Sequence, residues 1–185
     1  MKSSIYSSDK NIKLEYFNEQ DILIVNESAA RAEELVSNYY KMSSSQLLDL
    51  KYDIKTLIDL NEHEIVYGPF AQVIRYEVKR KGTNLGSLTY DFYKICIQDH
   101  AVLSKLSRSP ELKLFPFMLY IVVHELIHIV RFCKFLQHFE ASSKEKMAEE
   151  IRVHERTIEI IQSSPVKGTK EVLQYYYKWC EDHKL

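Results

Sequence analysis

Glycine and proline are scarce in this chain, with four of each in 185 residues. That excludes a collagen-like or loop-dominated protein and favours long regular elements. Cysteine is rarer still: Cys96, Cys133 and Cys180 are odd in number, far apart, and form no CxxC pair. A disulfide framework and a cysteine-based metal site are thereby excluded. The three read as free thiols of a reducing, cytoplasmic compartment, with Cys133 a small buried hydrophobe. An excess of one charge is also missing, since 25 Lys and Arg face 26 Asp and Glu. No global field then draws the chain to nucleic acid or to an anionic membrane. Lys79-Arg80-Lys81 reads as a solvated hairpin tip. Residues 1–10 have no apolar core, so no secretory leader is expected. The longest apolar run, Phe115 to Val123, contains Pro116 and gives way at once to a polar motif, so it predicts a buried core helix and not a membrane span. There is no Gly-rich phosphate loop and no serine nucleophile elbow.

What is present is the profile of one compact globular domain, 45% apolar and 28% charged. It reads as three parts: residues 1–60 helical, 61–100 a sheet, and 109–185 helical again. In the first part, Asp21 to Val25 predicts a strand or a helix lead-in. Asn26 or Ser28 caps a helix from about Ala29 to Tyr40, and Leu47, Leu50, Ile54, Leu57 and Ile58 predict a second from about Gln46 to Leu60. Glu64–Tyr67, Ala71–Val78 and Ser87–Gln98 are rich in β-branched and aromatic residues, with turn signals at Gly68-Pro69 and Lys81–Gly86. They predict a small antiparallel sheet of three or four strands. Ser109-Pro110-Glu111 has helix-start order, Pro116 restarts or bends that helix, and it continues to about Gln137. Further helices are expected from Ser142-Ser143 to about Gln162, and from about Lys170 to Glu181. The fold class is α+β: a small antiparallel sheet packed against a buried motif helix, a following helix, and an N-terminal helical part.

The motif is His124-Glu125-Leu126-Ile127-His128. Two histidines four apart on a helix project from one face, so both ring nitrogens can reach one metal ion. Glu125 falls beside them, where its carboxylate can take the proton of a metal-activated water attacking a carbonyl. The flanks, Leu119 to Val123 and Ile129-Val130, are apolar nearly all round. A buried helix carries two histidines and a glutamate at high cost unless they are paired or bind metal. A zinc site explains all three together.

Zinc needs a third protein ligand. Met147, Ile151, Ile158 and Ile161 form the apolar face of the next helix, with His154 on the same stripe and Glu150 one turn before it. Glu149 falls nearer Arg152, Val153 and Arg156, on the side expected to face solvent. Glu150 is therefore the third-ligand candidate. His154 is expected to hydrogen-bond a ligand, to stabilise an oxyanion, or to replace Glu150 as ligand. His63, His100, His138 and His183 have no partner at ligand spacing and read as surface or packing residues. His138 could reach the rim of the site, and a tyrosine of Tyr175-Tyr176-Tyr177 could donate to an oxyanion.

Over about residues 115–160 the chain resembles the gluzincin clan of zinc metallopeptidases, which carry HExxH on one helix and a ligand glutamate on a following one. His124 and His128 match the clan's ligand histidines, Glu125 its general base, and Glu150 its downstream glutamate. His154 stands where many members have an aspartate. The extended metzincin continuation is absent after His128. The resemblance implies a zincin-like fold, a Zn2+ cofactor, and hydrolysis of peptide bonds in a peptide or protein substrate. It also implies a sheet strand that binds substrate in extended form, for which Tyr93–Gln98 is the candidate. A metal-binding regulatory or interaction module with little or no peptidase activity is the alternative.

Overall fold

The structure is a computed structural model and describes residues 14–79, 89–134, 142–164 and 166–183. Its first helix, α1 (Glu19–Tyr39), starts at a reciprocal cap. The Asp21 N–H donates to Asn18 Oδ1 at 2.9 Å, and the Asn18 N–H donates to Asp21 Oδ2 at 3.0 Å. The helix therefore begins well before Ala29. Asn26 and Ser28 lie inside it, and Asp21–Val25 takes the second of its two expected forms, the lead-in of a helix, as part of the first turns of α1. Val25, Ala32, Leu35 and Val36 form its buried stripe.

The helix expected from Gln46 to Leu60 does not form. A short helix, α2 (Ser44–Leu48), ends at a turn in which Lys51 has φ +48°. That left-handed conformation cannot continue a helix. Residues Tyr52–Lys55 then become strand β1. Ile58, one of the residues at helical spacing, is 74% exposed. The spacing was real, but strand pairing and a left-handed residue overrode it.

Strands β2 (Ala71–Lys79) and β3 (Thr89–Ile97) pair antiparallel, and β1 pairs with β3 in parallel, Tyr52 opposite Tyr93. The sheet order is β1-β3-β2. The sheet is thus mixed, not wholly antiparallel, because residues 52–55 supply a strand from the region read as helix. Glu64–Tyr67 is not a strand; Glu62–Glu64 is a 3-10 turn.

Helix α3 (Asp99–Arg108) follows β3 directly. Its start at Gln98 has no side-chain cap, so the usual start signal is missing. Ser109-Pro110-Glu111 is the turn after it, not the start of the next helix. Asp99 is buried, and its carboxylate accepts from the N–H groups of Phe17 and Leu57 at 3.0 and 2.9 Å.

Helix α4 (Leu114–Cys133) is buried continuously from Pro116 to Val130. Pro116 sits in its first turn, where no backbone N–H is needed. By length and composition α4 could cross a bilayer, but 78% of that window is buried against the rest of the chain. The helix packs on α1 and β2, on α5 (Ser143–Gln162) and on α6 (Thr169–His183). Gly168, at φ +90°, precedes α6; a Cβ there would lie 3.1 Å from Pro116 Cγ, so glycine lets α6 approach the start of α4. The architecture is α+β, a three-stranded mixed sheet with six α-helices among the described residues.

Candidate metal centre

His124 and His128 sit one turn apart in the middle of α4, and both are more than nine-tenths buried. Their rings meet edge to face, and their Nε2 atoms are 3.2 Å apart. From α5, Glu150 extends its carboxylate to both, with Oε2 3.2 Å from His124 Nε2 and Oε1 3.2 Å from His128 Nε2. Burial acts upward on the Glu150 carboxyl, but the two imidazoles hold it well below the usual carboxylate range.

Glu149 is not solvent-facing. It is 5% exposed, because α5 turns it towards α4. There Arg131 grips it through Nε and through Nη2, the latter at 3.1 Å, while Arg152 Nη1 donates to Oε2 at 3.1 Å. Arg131 lies one turn beyond His128 in α4. This clamp joins the two helices at the residue before Glu150 and fixes the rotation that presents Glu150 to the histidines.

His154, one turn after Glu150, is buried, and its ring centroid lies 4.3 Å from that of His124. His124, Glu150 and His154 each offer a ligand atom, and these atoms lie within 4.8 Å of one another. The other side of His154 is held by Tyr120, whose hydroxyl is 2.8 Å from Nδ1. Tyr120 in turn stacks on Tyr176 of α6 at a centroid distance of 3.8 Å. Tyr120 sits one turn before His124 on the same helix face, so its place was legible from spacing. Tyr176 shows that the tyrosine run does reach the site, and burial pushes its hydroxyl pKa well up.

Glu125 is 8% exposed and lines the same cleft as the histidines. Burial raises its pKa against the lowering influence of His124 and His128.

The donor set fits a metal ion. Zinc bonds of about 2.0–2.1 Å at tetrahedral angles place ligand atoms about 3.3 Å apart. The two Nε2 atoms are 3.2 Å apart, and each lies 3.2 Å from its own oxygen of the Glu150 carboxylate, Oε2 for His124 and Oε1 for His128. Imidazole and carboxylate also suit several first-row divalent ions, so the donors point to a metal without fixing its identity. One feature departs from the usual pattern. A metal-bound histidine commonly donates its other ring N–H to a carboxylate or carbonyl. His124 Nδ1 is buried with no hydrogen-bond partner among the described residues. His154, the neighbouring buried imidazole, pairs with Tyr120 instead.

The centre opens on a cleft of about 640 Å³, and Phe70, Ala71, Gln72 and Val73 form its opposite wall. Phe70 leads into β2, an edge strand, and Ala71 to Val73 are its first residues. The expected substrate strand, Tyr93–Gln98, is corrected here: β3 is the central strand, with both edges paired along much of its length. Gly68, at φ +113°, shapes the lip of the cleft before β2. His63 is exposed as expected, whereas His100 is buried beside a second cavity. Cys96 is buried and Cys133 half-buried, both free. His138 lies outside the described residues.

A buried group of histidine and glutamate able to hold a metal ion, in an α+β fold, is thus what the chain builds. No family model matches the chain, and no match was found among curated proteins or among solved structures.

Proposed function

We propose that this protein is a zinc-dependent metallopeptidase. The observation that carries the reading is the convergence of His124 Nε2 and His128 Nε2, 3.2 Å apart, with the Glu150 carboxylate, one oxygen 3.2 Å from each, on the wall of an open cleft. In this reading those three residues hold the ion. Bound there, zinc supplies Lewis acidity, polarising a carbonyl and acidifying a water.

The chain's own groups do the rest. Glu125 lines the cleft beside the two histidines, and its carboxylate accepts a proton from the attacking water and returns it to the leaving amine. Burial raises the Glu125 pKa, which brings the carboxyl nearer to the range useful for both steps. His154, oriented by the Tyr120 hydroxyl, is placed to stabilise charge on the carbonyl oxygen. The β2 edge from Ala71 to Val73 offers backbone groups to an extended peptide, in place of the central strand.

A second reading has its own support. His154 belongs to the group of ligand atoms within 4.8 Å. If it ligates along with Glu150, four protein ligands close the site, and the protein is a metal-binding module without turnover. One experiment separates the two. Purified zinc-loaded protein is incubated with a peptide library, and cleavage is compared for the wild type and Glu125→Gln. The peptidase reading expects cleavage by the wild type, none by the variant, and equal zinc in both. Stoichiometric zinc with no cleavage by either supports the closed module.

A further inference from the structure

A second cavity of about 430 Å³ adjoins the metal cleft, and Gly68, Phe70 and Tyr175 are walls of both. Its floor is helix α3. His100, Ser104, Lys105 and Arg108 face it from successive turns, and no aspartate or glutamate lines it.

Three observations give this cavity a chemistry. His100 is 5% exposed, and neither of its ring nitrogens has a hydrogen-bond partner among the described residues. A buried imidazole without partners costs stability unless something else satisfies it. Its neighbour Asp99 does not do so by hydrogen bonding, since that carboxylate accepts from Phe17 and Leu57. Next, Lys105 and Arg108 form no ion pair among the described residues. Lys105 Nζ rests 4.1 Å from the centroid of the Tyr175 ring, the wall shared with the metal cleft. Among the described residues Arg108 is tied through Nε alone, to the Ser104 carbonyl at 3.0 Å, which leaves the far end of its guanidinium for a ligand. Elsewhere in the chain Lys94, Arg131 and Arg152 are each matched to an acid. Here two cations and an unsatisfied imidazole surround a space with no acid in it.

We propose that this cavity is an anion-binding subsite of the cleft, which binds a carboxylate group of the peptide substrate. The proposal rests on the peptidase reading for the word substrate, but the subsite itself needs no metal. Lys105 and Arg108 supply the charge, Arg108 by the planar donor geometry that fits a carboxylate. His100 supplies an N–H at the buried end. The shared Tyr175 wall puts the anion beside the metal centre, so the subsite selects where along a chain the scissile bond falls. The carboxylate can come from an acidic side chain or from a peptide's C-terminus.

The test measures binding of three probes to the full chain by NMR. They are the blocked peptide acetyl-Ala-Ala-Glu-Ala-amide, its glutamine counterpart, and that glutamine peptide with a free C-terminal carboxylate. Glu125→Gln protein, which does not consume the probes, is compared zinc-loaded and after stripping by a chelator and dialysis. At least one charged probe is expected to bind about tenfold more tightly than the neutral one, with or without zinc, and to shift the His100 ring signals. Tighter binding by the glutamate peptide identifies a side-chain carboxylate; tighter binding by the free-acid peptide identifies a C-terminus. Raising the salt should shrink the preference. Lys105→Gln with Arg108→Gln should remove it, and so should Ser104→Glu. Positions 104 and 108 are exposed and 105 half-buried, so both variants are expected to fold. Equal binding of all three probes, or a preference that survives both variants, overturns the subsite. Loss of the peptidase reading would show differently, as protein that takes up no zinc yet keeps the preference.

Discussion

Glu64 and Glu150 are both acids set among close partners, and they are satisfied in opposite ways. Glu64 is fully buried, and it accepts from Lys94 Nζ at 2.6 Å, the Tyr76 hydroxyl at 2.5 Å and the Asn61 N–H at 2.8 Å. Burial pushes its pKa up, but the lysine, the tyrosine and the backbone donor outweigh that and hold it at about 2. Glu149 is closed in the same manner, by two arginines. Glu150, the next residue, is paired with no lysine or arginine among the described residues. It faces two imidazoles, which also face each other. A structural acid cluster completes itself with donors from its own chain. The centre on α4 and α5 instead gathers lone pairs around one point, which a cation completes.

That contrast can be broken at either end. The largest effect is expected for His124→Ala. Zinc content should fall from about one equivalent to near zero by elemental analysis, and hydrolysis with it, because binding of the ion depends on the full ligand set. Glu125→Gln should keep the zinc and lower the hydrolysis rate by about 10²–10⁴-fold, measured on any peptide the wild type cleaves. At the other cluster, Glu64→Gln leaves Lys94 without its acid and should cost about 3–5 kcal/mol in denaturant unfolding, with zinc content unchanged. Arg131→Met releases Glu149 and with it the register of Glu150. It should weaken zinc binding by about 10–100-fold in a competition titration, as the loss of a residue that orients ligands does.

A further effect is one of pH. The folded pKa of Glu64, about 2, lies below an unfolded value of about 4.3. Its contribution is therefore present in full well above about pH 4.3, by about pH 5, and is lost as pH falls through about 2. Unfolding followed between pH 5 and 2 should show a steeper loss of stability in the wild type than in Glu64→Gln. Parallel curves would mean that Glu64 does not carry this dependence.

The parts legible in the sequence are those where one strong local pattern decided the outcome. Helix α5 is capped by Ser142, with Glu145 as its reciprocal partner, and ends at Gln162. The continuous burial of α4 follows from an apolar sequence around a polar motif, and the 3.6-residue period brings Tyr120, His124 and His128 to one side. What failed did so for non-local reasons. Residues 52–55 are a strand because β3 offers them a parallel partner, which no local pattern announces. Helix α3 lacks a cap, and Asp99 serves two distant backbone donors instead. The burial of Glu149 depends on Arg131, 18 positions earlier, and helical periodicity within α5 alone placed it outside. The acid-free cavity over His100 is assembled from α3, α6 and the Tyr67–Phe70 segment, which come together only in the fold.

The most direct measurement is anomalous diffraction at the zinc edge from crystals of the purified protein grown with zinc. One peak is predicted, about 2.0–2.1 Å from both His124 Nε2 and His128 Nε2 and within bonding reach of the Glu150 carboxylate. A map with no peak between those three side chains, or with the two rings turned apart and packed against hydrocarbon, would contradict the account.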